Sequence, residues 1–132
     1  MKKITSDITI VGAGLTGLMT AYTLSDLNID IVVIDKFDFF SKKNNNADLR
    51  TTAISEGSKY FLDRIKIWDK IKSFSEPIKD IKVIDRQKKT KIDFCNQAAN
   101  HNLGYIIKNN IIKKILLEKL IKKKNIRLIS NN

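Results

Sequence analysis

The chain has 132 residues and a formal net charge of +11 at pH 7. This length suits one domain with a sizeable core and is too short for a cofactor domain plus a complete substrate domain. The lysines that carry the charge are scattered, without interleaved aromatic residues or a nucleic-acid-binding motif, which argues against nucleic acid as a partner. No apolar run reaches the ~20 residues that span a bilayer, and the amino terminus lacks a signal-peptide pattern, so a cytoplasmic location is expected.

The amino-terminal residues predict a strand, a glycine-rich turn, a helix and a second strand. Residues 7–11 are rich in β-branched types, and residues 29–34 are almost wholly apolar, as in parallel strands that are covered on both faces. Between them, apolar residues recur with helical spacing up to about Leu27, and Asn28 is predicted to end this helix in the left-handed conformation. The result is a βαβ unit that closes with Asp35.

Turn residues 12–17 fit the pattern GxGxxG, and each glycine has its own physical task. Gly12 allows a tight turn out of the strand, Gly14 allows a pyrophosphate to approach the backbone, and Gly17 allows the helix to pack close to the sheet. The pyrophosphate would then lie at the positive end of the helix. Asp35 can accept hydrogen bonds from both hydroxyls of an adenosine ribose, which favours FAD or NAD over NADP. The alternative for Asp35 is a solvated acid at a strand end.

The middle of the chain predicts a polar loop followed by a helix. Residues 36–49 are rich in asparagine, lysine and other polar types and read as a loop. Ser55 is predicted to cap the helix, with Glu56 in the first turn to complement the helix dipole. Trp68 is predicted to anchor the core at the end of the apolar face of this helix.

Pro77 is expected to interrupt the chain before a β-hairpin. The hairpin strands are predicted at residues 81–85 and 91–94, with a polar turn between them. Cys95 is the single cysteine, which excludes a disulfide within the chain, and it is predicted to be a small core residue. His101 has no histidine or cysteine partner at ligand spacing, so no metal site is expected.

The carboxy-terminal part predicts a strand, a helix and another strand. The strands are predicted at 103–107 and 126–129, and the helix is predicted to begin at Asn109 or Asn110 and run to about Lys124. Isoleucines and leucines line one side of this helix and lysines cover the rest. Packing of the apolar side on a sheet is the favoured interpretation, and binding to an anionic membrane is the alternative.

Several stretches match one known family: residues 7–17, Asp35, Asp48-Leu49-Arg50, Ile67-Trp68, Pro77-Ile78 and residues 103–107. On these residues the chain resembles the FAD-dependent aromatic hydroxylases of ubiquinone biosynthesis, a branch of the para-hydroxybenzoate-hydroxylase-like flavin monooxygenases. The resemblance implies an α/β fold, in which a Rossmann-type βαβ FAD-binding unit with a parallel sheet is joined to the first hairpin of a substrate-domain sheet. Residues 1–132 would be the N-terminal part of an FAD-binding domain, with the hairpin at about 78–95.

The resemblance also implies which residues bind the cofactor. The glycine turn and the acid would hold the ADP half of FAD, and Arg50 would lie near the pyrophosphate and the flavin ring. A guanidinium suits planar contacts with phosphate oxygens, and an interdomain salt bridge is the alternative for Arg50. No catalytic acid or base is identified. The cofactor-binding residues are expected to be Gly12, Ala13, Gly14, Leu15, Thr16, Gly17, Asp35, Lys36 and Arg50.

Members of this family reduce FAD with NAD(P)H, bind O2 and hydroxylate a phenolic ring. The expected function is therefore that of the N-terminal segment of an FAD-dependent monooxygenase that acts on a polyprenylated phenol. One alternative is an inactive fragment, or one half of a split flavoprotein with a C-terminal partner chain, because the later flavin motifs of the family have no counterpart in residues 1–132. Another alternative is an NAD-binding oxidoreductase module. The basic amphipathic helix leaves open a peripheral contact with the inner membrane.

Three positions depart from the family pattern. Lys66 occupies a position where the family commonly has glycine, Lys108 one where an acid is frequent, and Asn110 one where arginine is frequent. If the backbone at Lys66 has a positive φ, a lysine there costs on the order of 1 kcal/mol.

Overall fold

The computed structural model describes residues 3–36, 38–39, 48–85, 90–95 and 102–130. It divides into two compact units, which we call the first and the second unit. The first unit comprises Met1–Arg50 and Asn109–Asn132, and the second comprises Thr51–Lys108. The α/β class predicted from the sequence is confirmed, and each unit contains its own sheet. His101 and most of the loop at 36–49 lie outside the described residues.

The first unit contains a parallel sheet with the strand order β1-β2-β8. These strands are β1 (Ile8–Val11), β2 (Ile31–Asp35) and β8 (Ile126–Ser130). Helix α1 (Leu15–Leu24) packs on β1 and β2. The predicted βαβ unit is therefore confirmed. Central strand β2 begins with three buried apolar residues, as expected for a parallel strand with neighbours on both sides.

Helix α4 (Asn109–Leu120) packs against α1 and completes the core of the first unit. Its contact side is apolar, as predicted, but the sequence predicted packing on a sheet, and the contact that the structure shows is with helix α1. Ala21 is fully buried and has only a methyl side chain, which allows close packing around α1. The buried apolar residues on the two helices include Leu18, Ala21, Ile112, Leu116, Leu117 and Leu120.

Helix α1 ends at Leu24, earlier than the predicted Leu27. After Leu24 the backbone pairing changes, because the N–H groups of Ser25 and Leu27 donate to carbonyls only three residues back, those of Tyr22 and Leu24. The Oγ of Ser25 donates to the same Tyr22 carbonyl at 2.7 Å. Asn28 does not have the predicted left-handed conformation. In the described parts of the chain, the one non-glycine residue with a positive φ is Lys66. The side-chain amide of Asn125 instead donates to three carbonyls of the segment that follows α1, those of Ser25, Leu27 and Ile29.

The second unit contains an antiparallel sheet with the strand order β3-β7-β4. Its strands are β3 (Thr51–Ser55), β4 (Glu76–Ile78) and β7 (Gly104–Lys108). Strands β3 and β4 were not predicted from the sequence. Pro77 lies within β4, which is an edge strand of this sheet. Proline has no backbone N–H to donate to a neighbouring strand, and an edge strand tolerates this because one of its sides has no neighbour.

Two short helices connect β3 to β4. Helix α2 (Glu56–Arg64) begins as predicted, because the Ser55 hydroxyl accepts a hydrogen bond of 3.2 Å from the backbone N–H of Ser58. It ends before Trp68, which starts helix α3 (Trp68–Ile71) and is buried as predicted. A 3-10 turn (Lys72–Phe74) follows α3.

A two-stranded hairpin forms the rest of the second unit, with β5 (Asp80–Asp85) paired to β6 (Thr90–Cys95). This confirms the predicted hairpin. Every residue of both strands is exposed. The prediction of Cys95 as a core residue is therefore wrong, because Cys95 ends β6 with its side chain exposed. Among the described residues, no helix is long and apolar enough to cross a membrane.

Candidate cofactor site

The glycine turn follows the carboxyl end of β1, and its first residue has a backbone conformation that requires glycine. Gly12 has a backbone φ of +104°, which a residue with a side chain rarely adopts. Its N–H donates a hydrogen bond of 2.8 Å to the carbonyl of Ile34, so the turn is tied to the neighbouring strand β2 at its first residue. The turn therefore begins within the sheet and is rigidly connected to it.

Gly17 brings the first turn of α1 directly against the glycine turn. A Cβ atom built on Gly17 would lie 2.0 Å from the carbonyl oxygen of Gly12, which is far too close for two non-bonded atoms. At Gly14, by contrast, an added Cβ would meet no atom of the described residues within 4 Å. Gly17 is thus required by packing within the chain, whereas the absence of a side chain at Gly14 leaves open space beside the turn.

The amino end of α1 faces this open space. The first helical hydrogen bond runs from the N–H of Leu18 to the carbonyl of Gly14, so the N–H groups of Leu15, Thr16 and Gly17 precede the first donor within the helix. The first turn of α1 contains no acidic residue that would neutralise the positive end of the helix dipole. Such an end favours a negatively charged group.

Asp35 lies beside the turn, at the carboxyl end of β2. Its Oδ2 accepts a hydrogen bond of 2.6 Å from the backbone N–H of Ala13, although the two residues are 22 positions apart in sequence. Ala13 is buried and Asp35 is half-buried. A carboxylate has about four lone-pair positions and can therefore accept from several donors at once, ribose hydroxyls among them. Lys36 follows Asp35 and is exposed.

Arg50 lies two residues after Asp48, and its side chain is 81% exposed. Its Nε and Nη2 atoms donate to the two carboxylate oxygens of Asp48 at 2.8 and 2.9 Å. The hydrogen bond from this guanidinium lowers the pKa of Asp48 to about 2, against the opposing effect of burial. The same contact raises the pKa of Arg50. The salt bridge that Arg50 makes is thus a local one.

The backbone of Arg50 is also held at both ends. Its N–H donates to Asp48 Oδ1 at 3.1 Å, and its carbonyl accepts from the N–H of Asn109, the first residue of α4, at 2.9 Å. The Oδ1 atom of Asn110 is buried and has no hydrogen-bond partner among the described residues. Sequence reasoning included Asp48 in the family match but assigned it no role. An aspartate two residues before an arginine is a local signal for this kind of side-chain-to-backbone bond.

The structure thus joins the glycine turn to Asp35 by a direct hydrogen bond and holds Arg50 in the same unit through Asp48 and α4. These residues fit the ADP part of a dinucleotide, because they combine an open glycine turn, a helix amino end and a strand-end carboxylate. In the parts of the chain that the structure describes, no three histidine, cysteine or acidic side chains are grouped to hold a metal ion.

Residues 7–76 match the family model of the FAD dependent oxidoreductases. Among curated proteins, the chain is 31% identical over 115 residues to the ubiquinone hydroxylase UbiL of Rhodospirillum rubrum, with 87% of this chain and 27% of the relative covered. It is 26% identical over 132 residues to the ubiquinone hydroxylase UbiM of Neisseria meningitidis, with coverage of 96% and 29%. The chain therefore spans less than a third of the length of these relatives.

A solved structure shows the same fold at low identity. The p-nitrophenol 4-monooxygenase PnpA of Pseudomonas putida superposes with a TM-score of 0.72 at 23% identity. The superposition covers 99% of this chain and 33% of the monooxygenase. The present chain thus corresponds in fold to about a third of a larger protein.

Proposed function

Because the chain belongs to the FAD-dependent oxidoreductase family, we propose that its glycine turn and Asp35 bind the ADP half of FAD. The observation that carries this proposal is the hydrogen bond between the Asp35 carboxylate and the N–H of Ala13. This bond holds a carboxylate, which can accept from ribose hydroxyls, beside a turn that has open space at Gly14. The pyrophosphate would lie at Gly14 and accept from the N–H groups of Leu15 and Thr16, while Asp35 accepts from the ribose hydroxyls.

Arg50 and Lys36 would supply positive charge to the same cofactor. A guanidinium with an exposed edge can donate two parallel hydrogen bonds to phosphate oxygens, and a lysine supplies a point charge. Both residues belong to the same unit as the glycine turn. FAD, once bound, supplies the redox chemistry of such proteins, whereas this chain would bind and orient it.

We further propose that the chain contributes to the hydroxylation of a phenol in ubiquinone biosynthesis, with NAD(P)H as the reductant and O2 as the co-substrate. The support is the similarity to two ubiquinone hydroxylases. Since the chain spans less than a third of those relatives, the complete reaction would require further polypeptide. That polypeptide would be either a continuation of this chain or a C-terminal partner chain, and without it the chain would be an inactive FAD-binding fragment.

The hairpin β5–β6 offers a surface for such polypeptide. Its register places Ile81 opposite Phe94 and Val83 opposite Ile92, and alternate residues of a strand share a face. We call these four residues the hairpin face. Their side chains are between 44% and 52% exposed, whereas the other face carries the opposite charges of Lys82 and Asp93 as a cross-strand pair. An apolar face that is this exposed favours contact with another protein segment.

A peripheral membrane contact is a further part of the proposal. Helix α4 and the residues after it expose Ile121 to 54% among the exposed lysines Lys114, Lys122 and Lys124. Lysines can attract anionic lipid head groups, and an exposed isoleucine can enter the interface between them. A larger fraction of the chain should sediment with phosphatidylglycerol vesicles than with phosphatidylcholine vesicles. Ile121→Asp should reduce the fraction that sediments with phosphatidylglycerol. Equal sedimentation with both vesicles would refute this contact.

Calorimetric titration of the chain with FAD and with NAD tests the cofactor assignment. FAD should bind more tightly than NAD, and Asp35→Ala should weaken FAD binding by roughly tenfold or more, since it removes a charged hydrogen-bond acceptor. Asp30→Ala is the matched control, because Asp30 is an exposed acid directly before the amino end of the same strand. Preferential binding of NAD, or equal effects of the two substitutions, would refute the assignment.

A further inference from the structure

An exposed arginine is normally a mobile side chain, yet Arg50 is fixed by its neighbour. Its guanidinium is 81% exposed, and the Asp48 side chain that holds it is 24% exposed. Both carboxylate oxygens of Asp48 are used, one by Nε at 2.8 Å and the other by Nη2 at 2.9 Å. This two-point contact fixes the plane of the guanidinium and its rotation within that plane.

The backbone on either side of the guanidinium is fixed as well. Asp48 Oδ1 also accepts from the N–H of Arg50, so one carboxylate organises both the main chain and the side chain of the arginine. On the other side, the carbonyl of Arg50 accepts from the N–H of Asn109 at the start of α4. A helix with a buried apolar side therefore supports the segment that carries the guanidinium.

The contact with Asp48 leaves one edge of the guanidinium open to a ligand. A guanidinium has five N–H donors, and Asp48 uses one on Nε and one on Nη2. The remaining three lie on Nη1 and on the outer side of Nη2, where they form a fork that matches two phosphate oxygens. A mobile arginine loses side-chain entropy when it is ordered by a ligand, and a residue ordered in advance avoids much of this cost on binding.

We propose that Asp48 is a positioning residue, which orders the guanidinium of Arg50 so that its open edge binds the pyrophosphate of FAD. This inference rests on the proposed function, in which Arg50 contacts FAD. Asp48 has no direct contact with the cofactor in this arrangement and acts through Arg50. Its negative charge is compensated by the arginine and, at longer range, by Lys113 of α4.

The test is a double-mutant cycle on the affinity of the chain for FAD, measured by calorimetry. Asp48→Asn keeps the shape of the side chain and removes one of the two carboxylate acceptors, so it should weaken FAD binding by roughly three- to tenfold. Arg50→Ala should weaken it by roughly tenfold or more. The double variant should bind FAD as Arg50→Ala does, because Asp48 has nothing to position once the guanidinium is removed.

AMP provides the control that separates positioning from damage to the fold. It contains the adenosine and one phosphate but lacks the second phosphate and the flavin. Asp48→Asn should therefore leave AMP binding unchanged while it weakens FAD binding. An equal loss for AMP and FAD, an unchanged or increased FAD affinity, or the same loss in the Arg50→Ala background would overturn the inference.

The failure of the proposed function has a different signature. If Arg50→Ala binds FAD as the unaltered chain does, Arg50 has no cofactor role and the inference falls with it. If the unaltered chain binds no FAD, the proposed function itself is refuted and the inference with it. If instead Arg50→Ala weakens FAD binding and Asp48→Asn gives one of the overturning results above, the inference is refuted and the proposed function stands.

Discussion

Lys66→Gly should stabilise the protein, because Lys66 has a backbone φ of +57°. The helix ending imposes this conformation. The N–H of Lys66 donates to the carbonyl of Asp63, and the N–H of Ile67 donates to that of Leu62, each at 2.9 Å. These two bonds are those of a Schellman motif, in which the residue after the helix is left-handed and is usually glycine. Because Leu62 and Ile67 are both buried, the turn cannot relax without exposing them.

The magnitude follows from two opposing contributions. The left-handed conformation costs a residue with a side chain roughly 1–2 kcal/mol. Glycine removes this cost but adds about 0.5–1 kcal/mol through its greater freedom in the unfolded chain. The expected net gain in the free energy of unfolding is therefore about 0.5–1 kcal/mol, or roughly 2–5 °C in Tm for a domain of this size. Lys66 is exposed, so few side-chain contacts are lost.

Urea unfolding followed by Trp68 fluorescence measures this gain, because Trp68 is buried and lies two residues beyond Lys66. Lys66→Ala is the matched control, since it removes the long side chain but keeps the Cβ that causes the strain. Lys66→Val should be less stable than either, because a β-branched residue is poorly tolerated at positive φ. A Lys66→Gly variant that is no more stable than Lys66→Ala, at an unchanged m-value, would show that the backbone strain is not relieved.

Three further predictions concern the turn, the ion pair and the hairpin. Gly14→Ala should change the free energy of unfolding by less than about 1 kcal/mol, because an added Cβ meets no atom of the described residues within 4 Å. The same substitution should weaken FAD binding at least tenfold in calorimetry, because the methyl group would occupy the space proposed for the pyrophosphate. The Asp48 carboxyl should titrate near its lowered pKa of about 2 by carbon NMR, and its pKa should rise towards 3.8 in Arg50→Ala. Because the folded pKa is lowered, the contribution of this pair to stability is complete above about pH 4 and is lost as the pH falls through 2. Phe94→Ser should reduce Nile red fluorescence in the presence of the chain more than Ile84→Ser does, since Phe94 shares its face with three other apolar side chains and Ile84 lies on the charged face. Equal reductions would contradict an apolar surface at the hairpin face.

The sequence predicts the βαβ unit and the hairpin well because both depend on neighbours in sequence. The apolar run of β2 and the GxGxxG turn lie within one short stretch, and the two hairpin strands are close together along the chain. Strands β3 and β4 depend instead on β7, which follows them only after the hairpin. The burial of β3 alternates in the folded chain, but its two apolar residues, Ala53 and Ile54, are adjacent in sequence, and β4 has only three residues, one of them a proline. Neither stretch therefore shows an alternating apolar pattern in the sequence. Their partner decides their structure.

The same distinction applies within the site. The position of Asp35 after the second strand is a local signal, and the parallel register of β1 and β2 brings their carboxyl ends to one edge, where the Asp35 carboxylate reaches Ala13. The family resemblance alone identifies Arg50 as a candidate site residue. The reason that its guanidinium is ordered is visible only in the structure, in its contacts with Asp48 and with the first residue of α4. An exposed ion pair contributes little to stability, with a median of about 0–1 kcal/mol. A carboxylate that orders both the backbone and the guanidinium of one exposed arginine is therefore better explained by what that arginine binds than by what it stabilises.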